Sequence, residues 1–250
     1  MQYKNYIFDL YGTLIDIHTD EESILLWEFM ADYLKRHFNT ATTAPKLKND
    51  YLKLCADETK KLAAKNGSKY PEIKIERVWK KLISSNCSDN EIKELCTAFR
   101  EKSRDKLVCY NNVQNVLRQI KETGNNVYLL SNAQRLFTEK ELADTGLTDF
   151  FDDIFISSDM EIKKPDPAFI NSLIKKHKLD PSATVMIGNE IKADIGSAIA
   201  AGIDGVYLNT YHHTHEEIVL ELASIGYSES NIELTIIDEG DDCFNKKSWL

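Results

Sequence analysis

Residues 3–13, YKNYIFDLYGT, join an apolar run to a carboxylate and a glycine turn, and this stretch decides how the rest of the chain is interpreted. The run over residues 3–8 predicts a short strand, which is continuously apolar at its end. Asp9 follows that end directly. Residues 11–13 then predict a turn, because Gly12 allows a backbone conformation that other residues avoid.

After this turn the apolar residues recur at helical intervals. Trp27, Met30 and Leu34 follow one another at three- and four-residue steps, which is the spacing of one helix face. We therefore predict four helices between residues 20 and 105, with polar turns between them. The stretches assigned to them are 22–38, 47–64, 75–82 and 92–99.

The second half of the chain alternates between strand-like and helical patterns. Strands are predicted at 126–130, 154–156, 184–187 and 205–208, with a further one at 233–237; helices are predicted at 134–143, 167–177 and 191–201. Such alternation indicates right-handed βαβ units and a parallel sheet that helices cover on both faces. We predict an α/β fold with a Rossmann-like parallel-sheet core, residues 1–16 and 106–250, and a helical-bundle cap, residues 17–105, inserted after the first strand.

Composition excludes several classes of function. The 250 residues include 31 basic and 40 acidic side chains, a net charge of −9, which works against binding to a nucleic-acid backbone. We find no apolar run long enough to span a membrane and no signal-peptide pattern at the start. The five cysteines form no CxxC pair, and such scattered thiols indicate a reducing, cytoplasmic environment. A small molecule is the expected partner.

Polar side chains collect where the predicted strands end. In open α/β sheets, ligands bind at the carboxyl ends of the strands, so we expect these segments to lie together. They are Asp9 to Thr13, Ser131 with Asn132, the Lys-Lys-Pro-Asp-Pro run of residues 163–167, and Gly188 to Glu190 with Asp194.

This set, in this order, resembles the haloacid dehalogenase (HAD) superfamily of hydrolases, which includes small-molecule phosphatases and true dehalogenases. The resemblance covers the whole chain, as four core motifs and a helical cap. It implies that Asp9 is a nucleophile forming a covalent intermediate that water opens. It also implies that Lys164, directly before the proline, offsets negative charge in the transition state. Ser131 would hydrogen-bond an oxygen of the transferred group.

The resemblance also implies substrate-binding roles near the nucleophile. Gly12 would let the backbone turn sharply and bring its amides close to an anion. Thr13 would hydrogen-bond this loop and fix its geometry. For Asn132 two interpretations stay open, since its side chain could hold a polar group of the substrate or cap the following helix.

Tyr11 departs from the family pattern. Phosphatases of this superfamily usually carry an aspartate there, which protonates the leaving oxygen and later activates water. A tyrosine hydroxyl, with an ordinary pKa of about 10, is a weak acid for that task. Tyr11 at this catalytic position favours carbon–halogen cleavage, or phosphate esters with good leaving groups.

The fourth motif, Gly188 to Glu190 with Asp194, instead favours a metal-dependent phosphatase. Glu190 and Asp194 are four residues apart, which places them on one face of a helix. With Asp9 and the backbone carbonyl of Tyr11 they would complete an oxygen shell for Mg²⁺. Asn189, at the usual aspartate position, is a further candidate ligand. The alternative is that Glu190 only stabilises a helix N-terminus, with no metal.

The sequence therefore favours Mg²⁺-dependent hydrolysis of a small phosphorylated metabolite through an aspartyl-phosphate at Asp9. Two alternatives stay open. One is a metal-independent 2-haloacid dehalogenase, in which Arg36 would meet the substrate carboxylate. The other is a non-catalytic phosphate- or protein-binding module. Both a monomer and a homodimer are compatible with the sequence.

Overall fold

The computed structural model describes residues 2–83 and 86–245. The predicted core domain begins at residue 1 and ends at residue 250, and both of these positions lie outside the described residues. Its strands are β1 (Asn5–Phe8), β2 (Ile15–Thr19), β3 (Arg104–Cys109), β4 (Asn126–Ser131), β5 (Asp153–Ile156), β6 (Thr184–Gly188), β7 (Asp204–Leu208) and β8 (Leu234–Ile237). Its helices are α1 (Ile24–Phe38), α2 (Ala44–Asn66), α3 (Ile75–Leu82), α4 (Asp89–Ser103), α5 (Val113–Glu122), α6 (Arg135–Asp144), α7 (Ser157–Met160), α8 (Pro167–His177), α9 (Gly196–Ala201) and α10 (His215–Ser224).

A parallel sheet forms the centre of the fold. Within the described ranges it has six strands in the order β5-β4-β1-β6-β7-β8, and each neighbouring pair is parallel. Both faces are covered by apolar clusters, which explains why β1, β4 and β6 are apolar without alternation. β1 lies between β4 and β6, with Phe8 beside Leu129 and Ile187. The predicted α/β fold with a parallel-sheet core is confirmed.

The helices predicted between residues 20 and 105 are α1 to α4. Their apolar faces meet around an aromatic cluster in which Trp27, Tyr51, Trp79 and Phe99 lie with ring centroids 5.1 to 6.5 Å apart. Aromatic rings bury large areas, and contacts at these separations add to the stabilisation from burial. We call α1 to α4 the helical layer.

A two-stranded ribbon that the sequence analysis did not predict joins the helical layer to the sheet. β2 and β3 pair antiparallel, and Ile15 lies opposite Cys109. Residues 16 and 106, at the predicted domain boundaries, lie inside this ribbon rather than at its ends. Residues before and after the helical layer are therefore hydrogen-bonded to each other.

Part of the helical layer lies over the carboxyl edge of the sheet. Its segment between α2 and α3 runs against the loop that precedes Lys164, where Pro71 and Ile162 form an antiparallel bridge. The Lys163 amide donates to the Tyr70 carbonyl over 2.9 Å. Nearby, the Gln134 side chain accepts from the Ile75 amide over 3.0 Å. These contacts position the layer above the predicted site.

No helix in residues 2–83 and 86–245 is both long and apolar enough to cross a membrane.

Candidate active site

A buried lysine between two carboxylates forms the centre of the site. Asp9 follows β1, Lys164 lies in the loop before α8, and Asp194 follows β6. The Lys164 Nζ atom lies 2.6 Å from Asp9 Oδ1 and 2.6 Å from Asp194 Oδ1. Lys164 is 3% exposed, Asp9 7% and Asp194 0%. The structure thus brings together three predicted residues that are up to 185 positions apart in sequence.

The electrostatics of this group keep the lysine charged. Burial alone would lower the pKa of Lys164, but Asp194 and Asp9 outweigh burial, so the pKa lies above its ordinary value. Burial raises the pKa of Asp194; Lys164 opposes this rise and Asp9 adds to it. A charged ammonium is therefore held against Asp9 in surroundings from which water is largely excluded.

The loop after β1 is shaped by a glycine and a threonine. Gly12 has φ +77° and lies against Asn189, where a Cβ atom would be 2.2 Å from Nδ2. No residue other than glycine fits this position without displacing Asn189. Thr13 is buried, and its hydroxyl lies 3.3 Å from Asp9 Oδ2 and 3.1 Å from Asn189 Oδ1. Thr13 thus joins the nucleophile loop to the loop after β6.

Ser131 presents a hydroxyl without a partner. It ends β4, next to β1 in the sheet, and is fully buried. Within the described part of the chain its Oγ atom forms no hydrogen bond. Leaving a buried hydroxyl unpaired costs free energy, on the order of 1–3 kcal/mol, and an oxygen of a bound substrate would remove that cost. The contact of Ser131 with the transferred group stays a prediction.

Asn132 holds the backbone of the lysine. Its Oδ1 atom accepts from the Lys164 amide over 2.8 Å, and its Nδ2 atom donates to the Lys164 carbonyl over 3.2 Å. The helix-cap interpretation is wrong, because α6 begins later and has Gln134 at its N-cap position. A substrate contact of Asn132 stays a prediction, but both of its polar atoms already bind the peptide of Lys164.

The Tyr11 side chain points to partners other than the nucleophile. Its hydroxyl donates to Glu141 Oε2 and lies 3.2 Å from Thr138 Oγ1. Burial, and then the charge of Glu141, raise the pKa of Tyr11 above its ordinary value. The hydroxyl is committed to a carboxylate and is a still weaker acid than tyrosine in water. We therefore correct the prediction of Tyr11 as a catalytic side chain; only its backbone carbonyl stays a candidate.

Glu141 and Arg100 complete this cluster, and the sequence analysis missed both. Glu141 lies on α6 and is 1% exposed. It accepts from Arg100 Nε over 2.7 Å and from Arg104 over 2.8 Å. A buried charge is unusual unless it is paired. Because these residues come from separate helices with no shared motif, the only sequence signal was a glutamate on the apolar side of α6.

The turn after β6 differs from the helix that the sequence predicted. Residues Ile191–Ile195 form a π-helical turn, which α9 follows. Glu190 is exposed at the start of this turn and Asp194 is buried within it, and the Asp194 amide donates to the Glu190 carbonyl over 2.7 Å. Asp194 Oδ1 binds Lys164, and Oδ2 accepts from the Glu190 amide over 2.9 Å. Both Asp194 oxygens thus have partners within the protein, and its role as a metal ligand stays a prediction.

The remaining oxygen donors still suit Mg²⁺. They are Asp9, the carbonyl of Tyr11, Asn189 and Glu190. Loss of hydration and the charge of Asp9 raise the pKa of Glu190, and a cation near both carboxylates would relieve their repulsion. Mg²⁺ is commonly held by one or two carboxylates plus substrate phosphate and water. In residues 2–83 and 86–245, no three His, Cys, Asp or Glu side chains form a ready-made metal cluster, so the fit rests on two carboxylates and neutral oxygens.

Arg36 lies away from this site. It is on α1, its side chain is 61% exposed, and it pairs with Asp32 of the same helix. The residue proposed to meet a haloacid carboxylate is thus a surface residue, which removes one argument for the dehalogenase alternative.

The sequence was compared with the sequence patterns of known protein families. The sequence pattern of the haloacid dehalogenase-like hydrolases matches residues 6–208, from β1 to the end of β7. The chain belongs to this family of hydrolases.

Named relatives include two kinds of phosphatase. The chain is 30% identical over 128 residues to the phosphoglycolate phosphatase of Vibrio vulnificus, covering 51% of this chain and 55% of the relative. It is 25% identical over 228 residues to the pyrimidine 5'-nucleotidase PynA of Streptococcus pneumoniae, covering 90% of this chain and 92% of the relative. The match thus spans about half the length of the phosphoglycolate phosphatase.

A solved structure has the same fold. The HAD phosphatase from Thermococcus onnurineus superimposes with a TM-score of 0.58 at 18% identity, covering 93% of each chain. At this identity the likeness concerns the fold alone.

Proposed function

We propose that this protein hydrolyses a small phosphorylated metabolite through a phosphoryl intermediate on Asp9, with Mg²⁺ held by Asp9, the Tyr11 carbonyl, Asn189 and Glu190. The observation that carries the proposal is the 2.6 Å contact between Lys164 Nζ and Asp9 Oδ1, both largely buried. The named relatives, which are phosphatases, support the choice of phosphorus over carbon as the electrophile.

The first step is an attack on phosphorus. An Asp9 carboxylate oxygen forms a bond to phosphorus, and the bond to the leaving oxygen breaks. Lys164 offsets the charge on the reacting group, in a site where fixed charges act strongly because water is excluded. Ser131 donates its unpaired hydrogen to a phosphoryl oxygen. Mg²⁺, when bound, supplies further positive charge facing the phosphoryl group.

The second step regenerates the carboxylate. Water attacks phosphorus and releases a proton to the solvent, the bond between phosphorus and Asp9 breaks, and inorganic phosphate leaves. Because the Tyr11 hydroxyl is bound to Glu141, the proton that the departing oxygen of the first step takes up comes from water in this scheme. Substrates whose leaving group is stable as an anion, and so needs no proton to depart, are then turned over fastest.

One assay series tests the proposal. Phosphate release from 4-nitrophenyl phosphate is measured with Mg²⁺ and with a chelator, beside halide release from a 2-haloacid. We expect Mg²⁺-stimulated phosphate release that is lost in Asp9→Asn, which keeps the size of the side chain. Halide release insensitive to the chelator would instead support a dehalogenase. Silence in both assays would support a binding module.

We also propose a cytoplasmic location, which the five free cysteines support.

A further inference from the structure

A buried ion cluster connects the helical layer to the loop that carries Asp9. We call Tyr11, Arg100, Arg104 and Glu141 the Glu141 cluster. Glu141 accepts hydrogen bonds from the other three members. Arg100 and Arg104 come from the helical layer and its exit into β3, Glu141 comes from α6 beside the sheet, and Tyr11 comes from the nucleophile loop. One carboxylate is therefore shared by three separate parts of the fold.

Arg100 contacts both Glu141 and the Tyr11 ring. Its Nε and Nη2 atoms donate to Glu141 over 2.7 and 3.3 Å. Its guanidinium carbon also lies 5.6 Å from the centroid of the Tyr11 ring and 5.2 Å from that of Phe137. Guanidinium groups at such distances are attracted by the face of an aromatic ring. Arg100 thus contacts Tyr11 directly and also through Glu141.

The ion pair between Arg100 and Glu141 is buried. The side chain of Arg100 is 14% exposed and that of Glu141 is 1% exposed. An ion pair in such surroundings is weakly screened, and its loss leaves a charge without a partner. By contrast, Lys140 of α6 and Glu101 of α4 are 3.6 Å apart but 45% and 50% exposed. This second pair connects the same two helices at the surface, where ion pairs contribute little.

Tyr11 is separated from Asp9 by one residue, so its position affects the nucleophile. The backbone at Tyr11 begins a tight turn in which the Gly12 amide donates to the Ile15 carbonyl over 2.8 Å. A rigid ring fixed at one end of this turn restricts the conformations of the whole loop. Small displacements matter here, because an error of about 1 Å in a reacting group can reduce a rate roughly 100-fold.

We infer that Arg100 is a positioning residue of the helical layer, which holds the Asp9 loop in its reactive position through Glu141 and Tyr11. The inference rests on the proposed function, since it concerns the same reaction. If Arg100 acts in this way, the rate of turnover depends on the position of the helical layer relative to the sheet. No member of the cluster needs to touch the substrate.

The test compares Arg100→Met, Tyr11→Phe and the double variant with wild type, using 4-nitrophenyl phosphate. Arg100→Met keeps the length of the side chain, and Tyr11→Phe keeps the ring but removes the hydroxyl. We expect Arg100→Met to lower kcat at least about 10-fold while KM changes less than about 3-fold, because substrate contacts are retained. Tyr11→Phe should lower kcat by a smaller factor. In the double variant, the second change should add little, since both act through Glu141.

Two further variants separate positioning from general stability. Lys140→Met breaks the exposed pair between the same helices and should leave kcat unchanged. Arg100→Lys keeps the charge but loses the two-point contact, and should recover part of kcat. If Arg100→Met unfolds, Tyr11→Phe alone decides the question.

The outcomes are distinguishable. Independent effects that multiply in the double variant, or a loss confined to KM, would contradict the inference and leave the proposed function standing. An unchanged kcat in folded Tyr11→Phe would also contradict the inference and leave the proposed function standing. Wild-type protein that releases no phosphate from any ester would contradict the proposed function itself.

Discussion

Gly188 packs directly against the carboxylate of Asp194. A Cβ atom placed on Gly188 would lie 2.0 Å from Asp194 Oδ2, far inside any van der Waals contact. Gly188 ends β6, and Asp194 is the second carboxylate, besides Asp9, that binds Lys164. The absence of a side chain at position 188 is therefore what allows the lysine to have two carboxylate partners.

Gly188→Ala should damage both stability and turnover. The added methyl group must displace Asp194, and forcing extra volume into a packed site costs about 1–3 kcal/mol. We expect a lower melting temperature and a kcat reduced at least about 10-fold. Gly196→Ala is the matched control, because a Cβ there would lie 3.4 Å from Pro165 in ordinary contact. Equal behaviour of the two variants would contradict the packing argument.

Lys164→Met should be the most damaging change at the site. It leaves Asp9 and Asp194 buried beside each other without their shared cation, and breaking such a buried group costs roughly 3–5 kcal/mol. Denaturant unfolding should show this loss, and phosphate release should disappear. Lys163→Met, one residue earlier and 41% exposed, should retain activity and stability. A fully active Lys164→Met protein would end the proposed chemistry.

Asn132→Ala should impair turnover without removing any group proposed to react. It deletes both hydrogen bonds to the Lys164 peptide, each of which contributes about 1 kcal/mol. We expect kcat to fall roughly 10-fold, because the ammonium is then held less firmly against Asp9. Asn115→Ala, on the exposed face of α5 where it bonds Asn112, serves as the control. A change in KM with kcat preserved would instead assign Asn132 to substrate binding.

Tyr11→Asp should shift the preference for leaving groups. A carboxyl group at this position could supply the proton that the tyrosine hydroxyl does not. The matched control is Tyr11→Asn, which has the same size and also removes the hydroxyl bound to Glu141 but cannot act as an acid. The ratio of kcat/KM for an alkyl phosphate to that for an aryl phosphate should be at least about 10-fold higher in Tyr11→Asp than in Tyr11→Asn, since a well-placed general acid contributes roughly 100-fold or more. Equal ratios would show that protonation does not limit turnover.

The strands of the sheet could be predicted from the sequence because they are short apolar runs, each followed by polar residues of recognisable type. The runs ending at Phe8, Ser131 and Gly188 lie side by side as neighbours in the sheet. The resemblance to the haloacid dehalogenase superfamily, rather than the strand order, implied that Lys164 would approach Asp9. Gly12 was also predictable, since a positive φ favours glycine.

Other features depend on tertiary contacts that a single sequence does not display. Glu141 and Tyr11 are 130 positions apart, and nothing in the local pattern of either residue indicates a buried pair. The ribbon of β2 and β3 depends on pairing between strands separated by the entire helical layer. The π-helical turn at Ile191–Ile195 uses residues that also suit an ordinary helix, so the sequence pattern predicted one continuous helix over residues 191–201.

The ribbon has a consequence for how such proteins diversify. Because Thr19 lies opposite Arg104, the chain departs and returns at neighbouring points, and everything between them is a cassette with adjoining ends. Insertions at such points are tolerated when they leave the surrounding backbone pairing intact. One helical layer can therefore be exchanged for another, by recombination or by grafting, while the strands of the sheet keep their register.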